Sequence, residues 1–236
     1  MSSPIIGLKD VWKVYQMGEV QVQALRGIDL SVKKGEFLAI SGPSGSGKST
    51  LMNLVGCLDL PSRGDIFLDG DNIAGFRESM LAQARGKKIG FVFQQFNLIP
   101  TLTALENVML PLEFQDTDSS KAGKRARKLL ELVGLGDRMD HLPSQLSGGQ
   151  MQRVAIARSL AASPEIILAD EPTGNLDSKT GRFIMDFLGE IHEKENKTVI
   201  MVTHDLNLVR YADRVVYLKD GLVERIGHNH KMGVAK

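Results

Sequence analysis

One run of residues constrains this chain more than any other: Gly42-Pro43-Ser44-Gly45-Ser46-Gly47-Lys48-Ser49. It has the spacing G-x-x-x-x-G-K-[ST] and sits between two apolar patterns. Before it, Phe37-Leu38-Ala39-Ile40 reads as a buried strand; after it, Leu51, Leu54, Val55 and Leu58 recur at helical spacing. Glycines in such a strand-to-helix loop let backbone N–H groups converge on phosphate oxygens, and the helix N-terminus adds partial positive charge. Lys48 is placed to neutralise β- and γ-phosphates, and the Ser49 hydroxyl to ligate Mg²⁺. The bland alternative, a glycine-rich turn with no ligand, is disfavoured by the strand–helix context. Gly42, Ser44, Gly45, Ser46, Gly47, Lys48, Ser49 and Thr50 form the candidate nucleotide-binding set.

A phosphate loop of this kind demands a parallel sheet around it, and the rest of the chain supplies one. Ile89–Phe93, Ile166–Ala169, Val199–Val202 and Val215–Leu218 are further short apolar runs. Ile184, Phe187, Leu188 and Ile191 follow helical spacing before the fourth of the five runs. Strands alternating with helices mean an α/β fold. Two stretches depart from that rhythm. Residues 5–35 and 64–73, with an Asp69-Gly70 turn, read as antiparallel strands layered on the core. Residues from about 96 to 162 read as a mostly helical insert, with Leu129, Leu130, Leu132 and Val133 as an apolar stripe. The polar end, Gly227 to Lys236, is expected to fray.

Composition excludes several classes. With 29 Lys plus Arg against 28 Asp plus Glu, the net charge is +1, so bulk electrostatic capture by nucleic acid or an anionic membrane is not expected. No apolar run approaches the ~18–20 residues that span a bilayer, and Met1 to Leu8 lacks the pattern of a signal peptide. A single cysteine, Cys57, rules out an intrachain disulfide and points to a reducing cytoplasm.

Carboxylates end the third run: Ile166-Ile167-Leu168-Ala169-Asp170-Glu171. In parallel sheets the ligand crevice lies at the carboxyl ends of strands, so Asp170 is placed to hold Mg²⁺ and Glu171 to polarise an attacking water. Alone, the pair would read as a solvated strand end; the phosphate loop upstream decides for chemistry. Leu146-Ser147-Gly148-Gly149-Gln150 precedes a helix expected over Met151 to Ala161. Its plain reading is a helix cap, but a glycine-rich helix N-terminus is also a second anion site. Two anion sites for one nucleotide are economical in a dimer, each nucleotide lying between the phosphate loop of one copy and this segment of the other.

The chain is thereby similar to the ATP-binding cassette (ABC) ATPases over nearly its whole length, with the family's motifs in the family's order. The resemblance implies that Gly42 to Ser49 is Walker A, Gln94 the Q-loop glutamine and Leu146 to Gln150 the signature. Asp170 and Glu171 match Walker B and the catalytic glutamate, Gly174-Asn175-Leu176-Asp177 the D-loop, and His204 the switch histidine. The D-loop departs from the commonest form at its first two positions. Tyr15 matches the aromatic residue that stacks on adenine, although a plain strand aromatic would look the same. Gln94 matches a residue that ligates Mg²⁺ or touches the lytic water. Ser147, Gly148, Gly149, Gln150 and Asp177 are implied to meet nucleotide.

Residues 90–100, 102–108 and 170–177 resemble the macrolide-export and lipoprotein-release type. The implied fold is a P-loop NTPase (RecA-like) parallel sheet with an antiparallel β-subdomain and an inserted α-helical subdomain. One ABC domain would span 1–236, its core and β-subdomain in 1–95 and 163–236 and its helical subdomain in 96–162. The implied activity is ATP hydrolysis with Mg²⁺, driving closure of a dimer that moves separate integral membrane permease subunits. That partnership would hold the chain on the inner face of the cell membrane. Alternatives are an ATPase driving a transmembrane regulator of an extracytoplasmic enzyme, or a soluble ABC ATPase acting on nucleic acid or ribosomes; a single cassette without a long coiled coil disfavours the last.

The remaining candidates read more plainly. Lys121, Lys124, Arg125, Arg127 and Lys128 read as a solvated basic helix face, with nucleic acid or lipid headgroups the weaker alternative at net charge +1, and Cys57 as an inert core residue. His228 and His230 in the tail could chelate a metal, but two histidines are weak evidence for a site. Phe96, Leu98, Ile99 and Leu102 are either core or an apolar seat for a short helix of a membrane partner.

Overall fold

The computed structural model describes residues 4–228. In chain order the elements are β1 (Ile6–Met17), β2 (Val20–Val32), β3 (Phe37–Ser41), α1 (Lys48–Val55), β4 (Arg63–Leu68), β5 (Asp71–Asn72), α2 (Glu78–Lys88) and β6 (Ile89–Val92). The second half comprises α3 (Ala104–Glu113), α4 (Ser119–Leu132), α5 (Gly148–Leu160), β7 (Ile166–Asp170), α6 (Ser178–Glu195), β8 (Thr198–Val202), β9 (Arg214–Lys219) and β10 (Leu222–His228). The main sheet has the order β10-β9-β3-β8-β7-β6; β9, β3, β8, β7 and β6 run parallel, and β10 closes one edge antiparallel to β9. A smaller antiparallel sheet, β2-β1-β4-β5, is layered against it.

Period-two burial explains why the core strands read as unbroken apolar runs. Phe37, Ala39, Ile167, Ala169, Val199 and Met201 point to one face, packing with Val108, Leu130, Ile156 and Leu188 of α3 to α6. Leu38, Ile40, Ile166, Leu168, Ile200 and Val202 point to the other, against Leu51 and Leu54 of α1 and Ile6, Leu25 and Ile66 of the smaller sheet. Both faces are covered, as in other parallel sheets.

Several expectations are corrected. Gly227 and His228 do not fray: they pair with Val215 and Arg214 at the end of β10. His230 lies outside the described residues. Leu132 leaves the expected stripe and is exposed, while Ala122 and Ala126 complete it. Helix α1 stops at Val55, where Gly56 N–H bonds the Met52 carbonyl and Cys57 takes a positive φ, leaving Leu58 outside the helix and exposed. α5 starts three residues earlier than expected, at Gly148. α2 was not expected at all; it buries only Leu81, so no apolar stripe announces it. Among the described residues no helix is long and apolar enough to cross a membrane.

Candidate active site

The parallel sheet brings four strand ends to one cleft of about 1060 Å³. The loop after β3 contributes Ser44, Gly45, Gly47, Lys48, Ser49 and Thr50; β6 leads to Gln94, β7 ends in Asp170 and Glu171, and β8 leads to His204. This is the position the crevice rule assigns to a ligand in an open α/β sheet. Within the loop, Gly47 has φ +100°, and a Cβ there would lie 2.6 Å from the Ala24 carbonyl oxygen. At Gly42 a Cβ would lie 2.2 Å from the Leu218 carbonyl oxygen. Only glycine lets the loop pass this close to β2 and β9. Lys48 Nζ donates to the carbonyls of Gly42 and Pro43, both at 2.8 Å, which curls the side chain back over the loop. Gly42 and Ser46 are not in the cleft wall; the Ser46 hydroxyl is buried, without a hydrogen-bond partner among the described residues.

Glu171 is the most constrained acid in the cleft. Its Oε1 accepts from the His204 backbone N–H at 2.9 Å and lies 2.7 Å from His204 Nδ1; its Oε2 accepts from Thr203 Oγ1 at 3.2 Å. Thr203 is fully buried, and its part was not read from the sequence, where a threonine before His204 carries no distinctive signal. Glu171 has φ +45°, and its backbone N–H donates to the Val202 carbonyl of the neighbouring strand. Asp170, one residue earlier, is held above the usual carboxylate range by burial and by the neighbouring Glu171 charge, against the opposing pull of Lys48. Val22, Gln23, Ala24 and Arg26 of β2, with Asp220 and Gly221 of the β9–β10 turn, complete the wall. Pattern reading missed them because they reach the cleft through sheet layering, with no motif of their own.

Gln94 lies against the D-loop. A Cβ on Gly174 would sit 2.8 Å from Gln94 Nε2, and Asn175 Nδ2 donates to the Gln94 carbonyl at 3.0 Å. Gly174 thus leaves room for the end of the Gln94 side chain, and Asn175 gives the Gln94 carbonyl a donor.

The other candidates lie apart from the cleft. Tyr15 is not in its wall; the hydroxyl donates to Asp59 Oδ2 at 3.0 Å, and the Lys13 ammonium lies 4.9 Å from the ring centroid. Ser147, Gly148, Gly149 and Gln150 are absent from the wall as well and build the start of α5. Ser147 is an exposed N-cap; its Oγ accepts from Gln150 N–H, while Gln150 Oε1 accepts from Ser147 N–H. The capping role that the sequence allowed is thus realised, with two donors of the helix N-terminus satisfied reciprocally. Asp177 caps α6, accepting from Lys179 N–H and Thr180 N–H. Among the described residues no cluster of three His, Cys, Asp or Glu side chains could hold a metal unaided.

Similarity to known proteins agrees with this geometry. The ABC transporter family model matches residues 25–174. The chain belongs to the ABC transporter family. An uncharacterized ABC transporter ATP-binding protein of Thermotoga maritima is 53% identical over 222 residues, 94% of each chain. The macrolide export ATP-binding/permease protein MacB of Brucella melitensis is 49% identical over 221 residues, 94% of this chain but 34% of that protein. Among solved structures, the ATP-binding cassette MJ0796 of Methanocaldococcus jannaschii, in a dimeric post-hydrolysis state bound to ADP and Pi, superposes with a TM-score of 0.90 at 51% identity. That match covers 95% of this chain and 99% of the other. As a member of this family the chain is an ATP-binding subunit of an ABC transporter and an ATP hydrolase.

Proposed function

We propose that two copies of this chain close on two ATP molecules, and that closure drives integral membrane permease subunits of the macrolide-export or lipoprotein-release type. The observation that carries this reading is the split arrangement of anion-binding elements. The phosphate loop, Gln94, Asp170, Glu171 and His204 share one cleft, whereas the Ser147 helix N-terminus stands exposed and away from it. A second copy supplies that missing wall, and the archaeal relative, dimeric with ADP and Pi bound, supports pairing of two copies. The permease-fused export protein supports the choice of partner, which holds this chain at the membrane. The apolar seat for that partner is the loop after Gln94, with Ile99 exposed and Phe96 and Leu98 half-buried.

Residues of one copy then divide the work. Lys48 and the start of α1 take up phosphate charge. Glu171 accepts the proton as water attacks the γ-phosphorus and the bond to ADP breaks, a role typically worth 10²–10⁴ in rate. His204 and Thr203 hold the Glu171 carboxylate at that task. Tyr15 stacks on adenine, and the signature residues Ser147, Gly148, Gly149 and Gln150, with Asp177, meet the nucleotide held by the other copy. Mg²⁺ fits this cleft, because Asp170 is a half-buried carboxylate beside a second acid, and Lys48 only partly offsets the two charges. Ser49, Gln94 and Asp170 would hold the ion together with nucleotide oxygens, the usual mixed coordination of Mg²⁺. When bound it would neutralise phosphate charge as the bond to the γ-phosphorus breaks.

The test is Glu171→Gln. It should bind ATP, lose hydrolysis by at least about 10²-fold and run as an ATP-dependent dimer on gel filtration. Wild-type turnover in that variant would remove Glu171 from the reaction.

A further inference from the structure

One buried side chain outside the recognised motifs touches both halves of the catalytic apparatus. Gln152 lies in the second turn of α5 and is 1% exposed. Its Nε2 donates to the Pro172 carbonyl at 2.6 Å and, more weakly, to the Phe93 carbonyl at 3.4 Å. Phe93 immediately precedes Gln94, and Pro172 immediately follows Glu171. The same side chain rides on the helix whose N-cap is Ser147. Its Oε1 is buried and has no partner among the described residues.

The orphaned oxygen argues against a purely structural role. A buried acceptor without a donor is costly; an apolar side chain of the same shape would avoid that cost only by leaving the Pro172 carbonyl without its donor. The amide cannot turn over to relieve it, since that would set Oε1 against two carbonyl oxygens. What the amide does, and an apolar group cannot, is hold two carbonyls of separate loops to one donor.

We propose that Gln152 is a positioning residue for hydrolysis: it ties the Q-loop and the loop after Glu171 to the signature helix, so that docking of Ser147 on a second copy sets Gln94 and Glu171. This rests on the reading of Glu171 and Gln94 given above. Asn175 supports it from the other side, since its Nδ2 holds the Gln94 carbonyl, the next one along the same loop.

The experiment is steady-state ATPase kinetics with thermal unfolding for Gln152→Met, Gln152→Glu and Glu171→Gln in the full chain. Gln152→Met keeps the volume and removes the donors. It should lower kcat about 10- to 100-fold, the scale of a misplaced catalytic group, with KM within about twofold of wild type and an unfolding midpoint lowered by only a few degrees, since the Pro172 carbonyl loses its donor while the unpartnered Oε1 is removed. Gln152→Glu, which keeps an acceptor but loses the donors, should not rescue kcat. Full turnover in either variant, or a kcat that falls only in step with the folded fraction, overturns the proposal. Should Gln152→Met fail to fold, Gln152→Glu decides alone: a lowered kcat at unchanged KM supports the proposal, and full turnover there overturns it. Full turnover in Glu171→Gln would instead remove the reading beneath it. Inactive Glu171→Gln beside fully active Gln152→Met would discard only the positioning role.

Discussion

Glu171 combines a backbone φ of +45° with a carboxylate engaged by both Thr203 and His204. A non-glycine residue in the left-handed region costs about 1–3 kcal/mol and persists where neighbours over-determine it. A second residue-scale network lies near the phosphate loop, where Asp59 accepts from Lys13 Nζ at 2.6 Å and from the Tyr15 hydroxyl. Burial raises the Asp59 pKa, but Lys13, the Leu60 N–H and Tyr15 together outweigh it and leave the carboxyl below its ordinary value. Because the folded pKa is the lower one, this contribution is present above the unfolded pKa of about 3.9 and is lost as pH falls through the folded value. Asp59→Asn should therefore cost about 1 kcal/mol or less at pH 7, discounted for partial exposure, and the gap to wild type should close toward pH 3 in urea titrations. A gap constant with pH would show that shape, not charge, matters there. The same logic applied to Cys57 gives a simpler prediction. Burial pushes its thiol up to about 11, so a thiol reagent at pH 8 should react only after denaturant is added, and rapid labelling of the native chain would contradict the packing.

At the scale of elements, legibility followed periodicity. The five parallel strands were visible because each is apolar on both faces. α2 escaped because it buries a single residue, and the stripe on α4 was misplaced onto Leu132 because its small members, Ala122 and Ala126, carry little hydrophobic signal. The loop before α3 shows what pattern reading cannot see. Asn107 is fully buried inside α3, and its side chain accepts from Ile99 N–H and donates to the carbonyls of Ile99, Leu102 and Thr103. Arg158 of α5 braces the same loop through the Phe96 and Asn97 carbonyls. One polar residue thus shapes the proposed permease seat, and nothing in its spacing announces it. Asn107→Ala should leave buried backbone groups unpaired at a cost of about 1–3 kcal/mol, lowering the unfolding midpoint by about 2–4 °C per kcal/mol for a chain of this size. Hydrogen exchange should accelerate over residues 97–103 first; uniform loss of protection would mean that Asn107 supports the fold at large instead.

At the scale of the whole molecule, the catalytic acids were legible because they sit at strand ends beside a recognisable phosphate loop. Their supports were not. Thr203 holds Glu171 from the end of the neighbouring strand, and Ala24 and Gly221 line the cleft from a strand and a turn remote in sequence; only the folded sheet makes them neighbours. The signature presents the opposite case: its sequence was plain, but within one copy it only caps α5. A segment satisfied as a cap yet exposed at its first residue is suited to a second role between copies, because Ser147 can face an anion without the helix being rebuilt. The buried Cys57 makes this testable, since engineered cysteines are then the accessible ones. Ser44 and Ser147 are both exposed, Ser44 in the cleft wall and Ser147 outside it. In a Glu171→Gln background carrying Ser44→Cys and Ser147→Cys, a short bis-maleimide should link two chains when ATP is present and leave them single when it is absent. Equal linking with and without ATP, or none with ATP while gel filtration still reports a dimer, would place the two nucleotides somewhere other than between the phosphate loop of one copy and the α5 N-terminus of the other.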